Sequence, residues 1–380
     1  MYYLSQILNK NIVIKAFLLL VAMFLFNSCE EKPELILSNN IDIKINLPNS
    51  WPNAYYHNDS LFLYHLQNKK IIFYNLLDIE NGLIIPLDNL FSKYSFKKEY
   101  YTNSHIYIHN LDSIFTLLPE CNCIVLLNKK GKIINDWVID CPLYMDNKNY
   151  VLCANKTHKI LFKNGVIYTS SSRTDINMNY NDDRTLYYQT PLEVEINING
   201  NQVINDKGFF PDCYLPDLDY LDYWATRIVT GKNDLVYSFG VSHNLYQIDV
   251  DGNETIMPVR SVYLDTIQTI NESNKSNIKK FKMSQGRYHN LIYDRYRNLY
   301  YRLVMLPTNF EKEDGTVNRF HDWSVIIMDG DFKILNEQKF DKDKFYPYMF
   351  YPSKKGIYIG KMTDDIFNCK TYHLSLFKIN

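Results

Sequence analysis

The chain has 380 residues, 46% of them hydrophobic and 15% aromatic, with a formal net charge of −1 at neutral pH. That is ample apolar material for a large core, and the near-neutral charge argues against a nucleic-acid partner or an anionic membrane face. Tyr (32) and Phe (21) are abundant, a composition that favours strands over helices.

Residues 1–28 read as a targeting segment. Lys10 and Lys15 supply a positive start, and Ala16 to Phe26 form an apolar stretch too short to span a bilayer comfortably. The stretch ends Leu25-Phe26-Asn27-Ser28-Cys29. This resembles a bacterial lipoprotein signal, which implies a lipid anchor on Cys29, although Phe26 and Asn27 depart from the commonest form. Several acyl chains on one Cys anchor a protein stably, whereas a single chain does not. The acidic pair Glu30-Glu31 resembles the export signal of Bacteroidota surface lipoproteins. The expected location is therefore the outer membrane, facing outward, with the periplasmic face as the alternative.

Beyond a linker at 29–39, one unit recurs: two apolar runs flanking a polar turn, the pattern of a β-hairpin. Copies occupy Tyr55–Tyr64, Ile106–Leu117, Ile160–Tyr168, Arg227–Tyr237, Arg287–Arg302 and Tyr348–Ile359. Their spacing of roughly 50 to 70 residues is the signature of a radial repeat. A third apolar run follows each hairpin: Lys70–Asn75, Cys123–Leu127, Leu192–Ile198, Asn244–Val250, Trp323–Met328 and Tyr372–Ile379. Gly-containing turns then lead to a fourth, at Asn81-Gly82, Lys130-Gly131, Asn199-Gly200, Asp251-Gly252 and Asp329-Gly330. Four strands per repeat is the blade of a β-propeller. The sixth blade lacks its outer strand at the C-terminus, and an orphan strand at Asn40–Leu47 pairs both lone edges if placed there. The predicted fold is all-β: a six-bladed β-propeller over 40–380, closed by an N-terminal strand that completes the last blade. The stretch 254–286 is too polar for a seventh blade and reads as a loop with a helical turn. With Ser28-Cys29 and the Tyr300-Tyr301-Arg302 strand, this pattern resembles the TolB-like six-bladed propeller lipoproteins of unknown function. The resemblance implies the fold and carries no activity.

In a propeller the first strands line the central channel, and the loops entering them share a face with those joining strands two and three. Two such loops, Ser170–Gln189 and Pro307–Asp322, are long enough to be functional. Near first-strand starts stand His158, Trp224, Arg227, Arg287, His289 and Tyr348, a set suited to a sugar, peptide or small anion. Arg287 and His289 point to the same side of one strand. Arg302, ending the next strand, is placed near the same face, its alternative role being an ion pair with a buried carboxylate.

Six cysteines follow Cys29, and Cys121 or Cys123 lies at a spacing that allows a disulfide with Cys141. Cys213 and Cys369 are expected to be buried small hydrophobes. Asp249-Val250-Asp251-Gly252-Asn253 opens like a calcium loop but lacks the Glu at the twelfth position, so turn chemistry explains it. No catalytic, metal or cofactor motif is present. The expected function is a binding or interaction module on the envelope, recognising an unidentified ligand or protein partner at the channel mouth. The alternatives are a propeller hydrolase or lyase acting on a glycan or small metabolite, and a scaffold in an outer-membrane complex.

Overall fold

A computed structural model describes residues 32–43, 52–57, 59–76, 78–94, 105–139, 150–153, 159–163, 165–173, 190–200, 202–214, 225–267, 275–318, 320–363 and 372–380. The targeting segment and Cys29 lie outside these residues. Six antiparallel sheets follow one another along the chain, each a meander from the channel outward. After β1 (Leu35–Ile43), blade one holds β2 (Asn53–His57), β3 (Ser60–Gln67), β4 (Lys70–Asn75) and β5 (Asp78–Pro86). Blade two holds β6 (Ile106–Asn110), β7 (Ser113–Leu118), β8 (Cys123–Leu127) and β9 (Ile133–Val138). In blade three the inner strand is split into β10 (Tyr150–Cys153) and β11 (Leu161–Lys163). Both pair with β12 (Val166–Arg173), followed by β13 (Glu193–Asn197) and β14 (Gln202–Lys207). Blade four runs β15 (Ala225–Val229), β16 (Leu235–Phe239), β17 (Asn244–Ile248) and β18 (Glu254–Pro258). Blade five runs β19 (Arg287–Asp294), β20 (Leu299–Met305), β21 (Trp323–Met328) and β22 (Ile334–Phe340). Blade six holds β23 (Phe345–Ser353), β24 (Gly356–Lys361) and β25 (Tyr372–Ile379), and β1 completes it.

Ring closure is as the sequence requires, with a shift in position. β1 pairs antiparallel with β25 from Leu35↔Ile379 to Ile43↔Tyr372. The strand therefore begins at Leu35, within the stretch expected to be a linker. What fixes its start is a clasp from blade five: the Gln338 amide accepts from Leu35 N at 2.8 Å and donates to Leu35 O at 3.0 Å. Asn336 Nδ2 adds a bond to Pro33 O at 2.9 Å. The expected turn at Asn81-Gly82 lies instead inside β5, where the register with β4 shifts. A Cβ at Gly82 would sit 2.7 Å from Phe73 O, so this glycine permits the close approach of a bulged outer strand. Between blades four and five the polar stretch carries no seventh sheet among the described residues. It contains the ten-residue helix α2 (Lys275–Ser284), larger than the expected turn, after the short α1 (Asp88–Lys93) near blade one.

The period-two alternation of each strand feeds two layers. In β20, Tyr301, Leu303 and Met305 face blade six, while Tyr300 and Val304 face blade four. An apolar cluster fills each of the six blade-to-blade interfaces. Each fully buried large apolar side chain contributes roughly 1.5–3 kcal/mol of transfer free energy.

One position in the layer between blades four and five is not apolar. Arg302 is fully buried between Tyr300 and Val304. Its Nε donates to Ser238 Oγ at 2.9 Å, Nη1 to Val259 O at 2.7 Å and His243 O at 3.1 Å, and Nη2 to Ser242 O at 2.7 Å. The guanidinium also lies 3.5 Å from the centroid of the Tyr288 ring. Burial lowers its pKa to about 10, far above neutrality, so it is charged. Backbone carbonyls of blade four, not a carboxylate, satisfy that charge. Arg302 is thus an inter-blade clasp and not a ligand-binding residue. Replacing it with Met strands several short-range carbonyl acceptors, and urea unfolding should show a loss of about 3 kcal/mol or more. Arg302→Lys should recover only part, because a point ammonium cannot match the planar fork.

Candidate functional site

Gly286 opens the region. A Cβ there would meet Leu264 Cδ1 at 2.5 Å and Pro307 Cδ at 2.8 Å, so only glycine lets β19 start beneath the loop that follows β20. That loop, 307–322, is a folded excursion: Glu311 and Val317 form a bridge, Asn318 Nδ2 donates to Thr308 Oγ1 at 2.9 Å, and Thr308 N donates to Ser284 O at 2.8 Å. It closes with Leu306 N donating to Asp322 O at 2.8 Å. His321 is held by a 2.7 Å bond between Nδ1 and Leu306 O. A carbonyl only accepts, so Nδ1 carries the proton and the neutral ring presents Nε2 as an acceptor.

Two β-bulges shape the rest. The register of β19 shifts between Tyr288 and Asn290, which places His289 at the irregularity. In β23 the shift falls between Tyr346 and Phe350, a stretch containing Tyr348. Bulges re-aim side chains, and here they bring the two residues edge-on: ring centroids 4.5 Å apart and planes at 85°. His289 is 4% exposed while Tyr348 is 38% exposed, so the tyrosine is the accessible member. Tyr346 packs 4.9 Å from Tyr348, and Phe320 5.6 Å from Tyr346. Burial, then the charge of Arg287, then that of His321, push the His289 pKa well below its usual value. Burial also lowers His321, aided by Arg287, although its bond to Leu306 opposes the shift. At neutral pH the cluster therefore presents one guanidinium, two neutral imidazoles and an aromatic wall. Gln285, beside it in sequence, is buried, and neither atom of its amide has a hydrogen-bond partner among the described residues. The arrangement can bind by charge, hydrogen bonding and ring contact, and it holds no nucleophile poised by a base.

Of the candidates from the sequence, Arg287, His289 and Tyr348 come together, joined by His321, which the sequence marked only as one polar residue of a long loop. Arg227 does not join them. Its Nε and Nη2 donate to Glu193 Oε1 and Oε2, each at 2.7 Å, and Nη2 also reaches Lys159 O at 3.0 Å. This fork links blade four to blade three, with Glu193 fully buried. His158, Trp224 and the loop 174–189 lie outside the described residues. So does Cys141, one end of the expected disulfide; of the other candidates, Cys121 is an exposed free thiol and Cys123 a buried one. Cys213 is likewise exposed and not the buried hydrophobe expected. Asp249 Oδ1 accepts from Asp251 N at 2.9 Å and Asn253 N at 2.8 Å, as a turn-forming aspartate does.

A model of the domain of unknown function DUF4221 matches residues 57–339, most of the propeller. The chain belongs to the DUF4221 family. A crystal structure of a DUF4221 member from Bacteroides vulgatus is 18% identical, with a TM-score of 0.71 over 93% of this chain and 99% of that one. A putative exported protein from Bacteroides fragilis is 10% identical, with a TM-score of 0.48 over 93% and 96% of the two chains. A streptogramin B lyase is 11% identical, with a TM-score of 0.36 over 90% and 98%. No curated protein matches the sequence. For this DUF4221 protein the likeness to the Bacteroides vulgatus structure supports the fold, and any function must be argued from its own residues.

The unfolded chain protonates His289 near pH 6.5, whereas the folded chain resists protonation. Stability should therefore be lost as pH falls from about 7 to about 5, and His289→Asn should flatten that decline in melting temperature. His65, His243 and His321 have pKa values lowered in the same direction, so the wild-type slope is their sum. Iodoacetamide without reductant should label Cys121 in the native protein and Cys123 only after unfolding. A Cys121 that resists labelling until reduced would restore the disulfide.

Proposed function

We propose that this DUF4221 protein is a lipid-anchored binding module of the bacterial outer membrane, taking its ligand at the channel mouth formed by blades five and six. The observation that carries this reading is the convergence of Arg287, His289, His321 and Tyr348 through two bulges and a folded loop. Irregularities conserve no ladder hydrogen bonds, so their coincidence at one mouth favours a binding role over a packing one. A cation beside neutral imidazoles and an accessible tyrosine suits a polar ligand with a ring, such as a sugar or a peptide side chain. The anchor at Cys29 stands six residues before the start of β1, a span of at most about 20 Å when extended. That tether would hold blade six close to the membrane surface. An envelope protein docking on the same mouth is the corresponding partner.

Support for catalysis is weaker. It required Arg227 and His158 to meet Arg287 and His289, and the Arg227 charge is already taken by Glu193.

The test is a thermal-shift screen of the full chain in detergent against glycans, peptides and sugar acids. Ligand at a hundred times its dissociation constant stabilises by about 2.7 kcal/mol. A hit should vanish in the Arg287→Ala/His289→Ala double variant, whose own melting curve reports whether it folds. Unchanged binding in that variant would overturn the assignment of this mouth.

A further inference from the structure

The opposite end of the channel has a chemistry of its own. Its floor is made by the hairpin turns between first and second strands, about 23 Å along β19 from Arg287. The residue that reaches into it is Arg295, in the turn after β19. Its guanidinium carbon lies 4.7 Å from the centroid of the Tyr56 ring in blade one. Tyr296 stands edge-on to the same ring at 6.4 Å. Burial raises the Tyr107 phenol of blade two, while the Arg227 and Arg295 charges oppose that shift. Blades one and five thus meet at one arginine.

That arginine differs from every cation near it. Arg297 is paired with Asp294 at 2.7 Å, and Lys354 with Asp59 at 2.9 Å. Of the other carboxylates in these turns, Asp112 lies 3.6 Å from Lys129 and Asp234 accepts from Gln247 Nε2 at 2.7 Å. Arg295 is exposed and has no carboxylate partner among the described residues. The half-buried Tyr56 and Tyr296 have no hydrogen-bond partner for their hydroxyls among those residues either. The mouth thus holds one guanidinium without a carboxylate partner among the described residues, set against two phenol rings.

The wider channel points the same way. The described innermost strands contain Lys163, Arg287 and an Arg227 already paired with Glu193, and one carboxylate, Asp294, itself paired with Arg297. Lys159, just before β11, has no carboxylate partner among the described residues, and burial pushes it down to about 8.

We infer that the hairpin mouth is an oxyanion-binding site for a carboxylate-bearing small molecule, with Arg295 supplying the charge and the Tyr56 and Tyr296 hydroxyls supplying donors. The site is separate from the one proposed above and does not depend on it. Arginine matches a carboxylate with two parallel N–H donors, and the aromatic rings keep the guanidinium in place while leaving its edge free.

The experiment is a calorimetric titration of the full chain in detergent with D-glucuronate, using D-glucose as the neutral control. Glucuronate should bind and glucose should not, with affinity falling as sodium chloride is added. Arg295→Gln should weaken glucuronate binding at least about tenfold, and Tyr56→Phe about threefold. Arg295→Lys should keep part of the affinity. Arg295 is exposed, and Phe at position 56 keeps the half-buried ring, so melting temperatures should match the parent. Equal binding of glucose, or an Arg295→Gln affinity equal to the parent, would overturn the inference. So would a loss seen only in Arg287→Gln, which would move the anion to the other mouth, and so would the absence of binding by glucuronate.

Discussion

A ring of sheets has no stable form while two edges stay bare, and the pairing of β1 with β25 removes both. Everything that can be said about the sites of this protein presupposes that closure, because a channel exists only once the ring is shut. The closing strand precedes all six blades in the chain, so the ring cannot close until β25 has been made. Gln338 and Asn336 then clasp the residues before and at its start. The closure is therefore written into two blades, five and six, which are also the blades that build the bulged mouth.

Closure alone would leave six sheets free to slide against one another, since apolar layers are non-directional. Two buried arginines supply direction around blade four. Arg227 forks onto Glu193 of blade three, and Arg302 of blade five grips the carbonyls of the turn after β16. The first pair cancels its charge with a carboxylate, and the second with oriented dipoles. Both cost desolvation, and both gain from several short bonds in fixed geometry. Their consequence for function is subtraction: two of the arginines that the sequence offered as ligand contacts are spent on holding blades together.

What remains available is distributed along the axis. At one end Arg287 stands with neutral imidazoles and Tyr348; at the other Arg295 stands with Tyr56 and Tyr296. The polar groups at each end come from different blades, so neither site exists in a single hairpin. That is the general advantage of a radial fold, in which loops and strand ends of remote sequence converge on a common axis.

The sequence by itself determined the number of blades, the third strands of four blades to the residue, and the need for an N-terminal strand to finish the last sheet. These follow from a period of two and from turn residues, both local signals that survive without knowledge of neighbours. It also marked Arg287, His289 and Tyr348, because residues near the start of a first strand must lie near the channel. Only the tertiary structure decided which arginines are free. Arg302 meets its acceptors some 60 positions away and Arg227 meets Glu193 at 34, separations at which no periodicity carries information. The bulges at His289 and Tyr348 were equally hidden, since an extra residue in a strand is defined by the partner it fails to match. Arg295 is the plainest case: in sequence it is one polar residue of a turn, and its place beside Tyr56 arises because a closed ring brings blade five's turn to the axis that blade one shares.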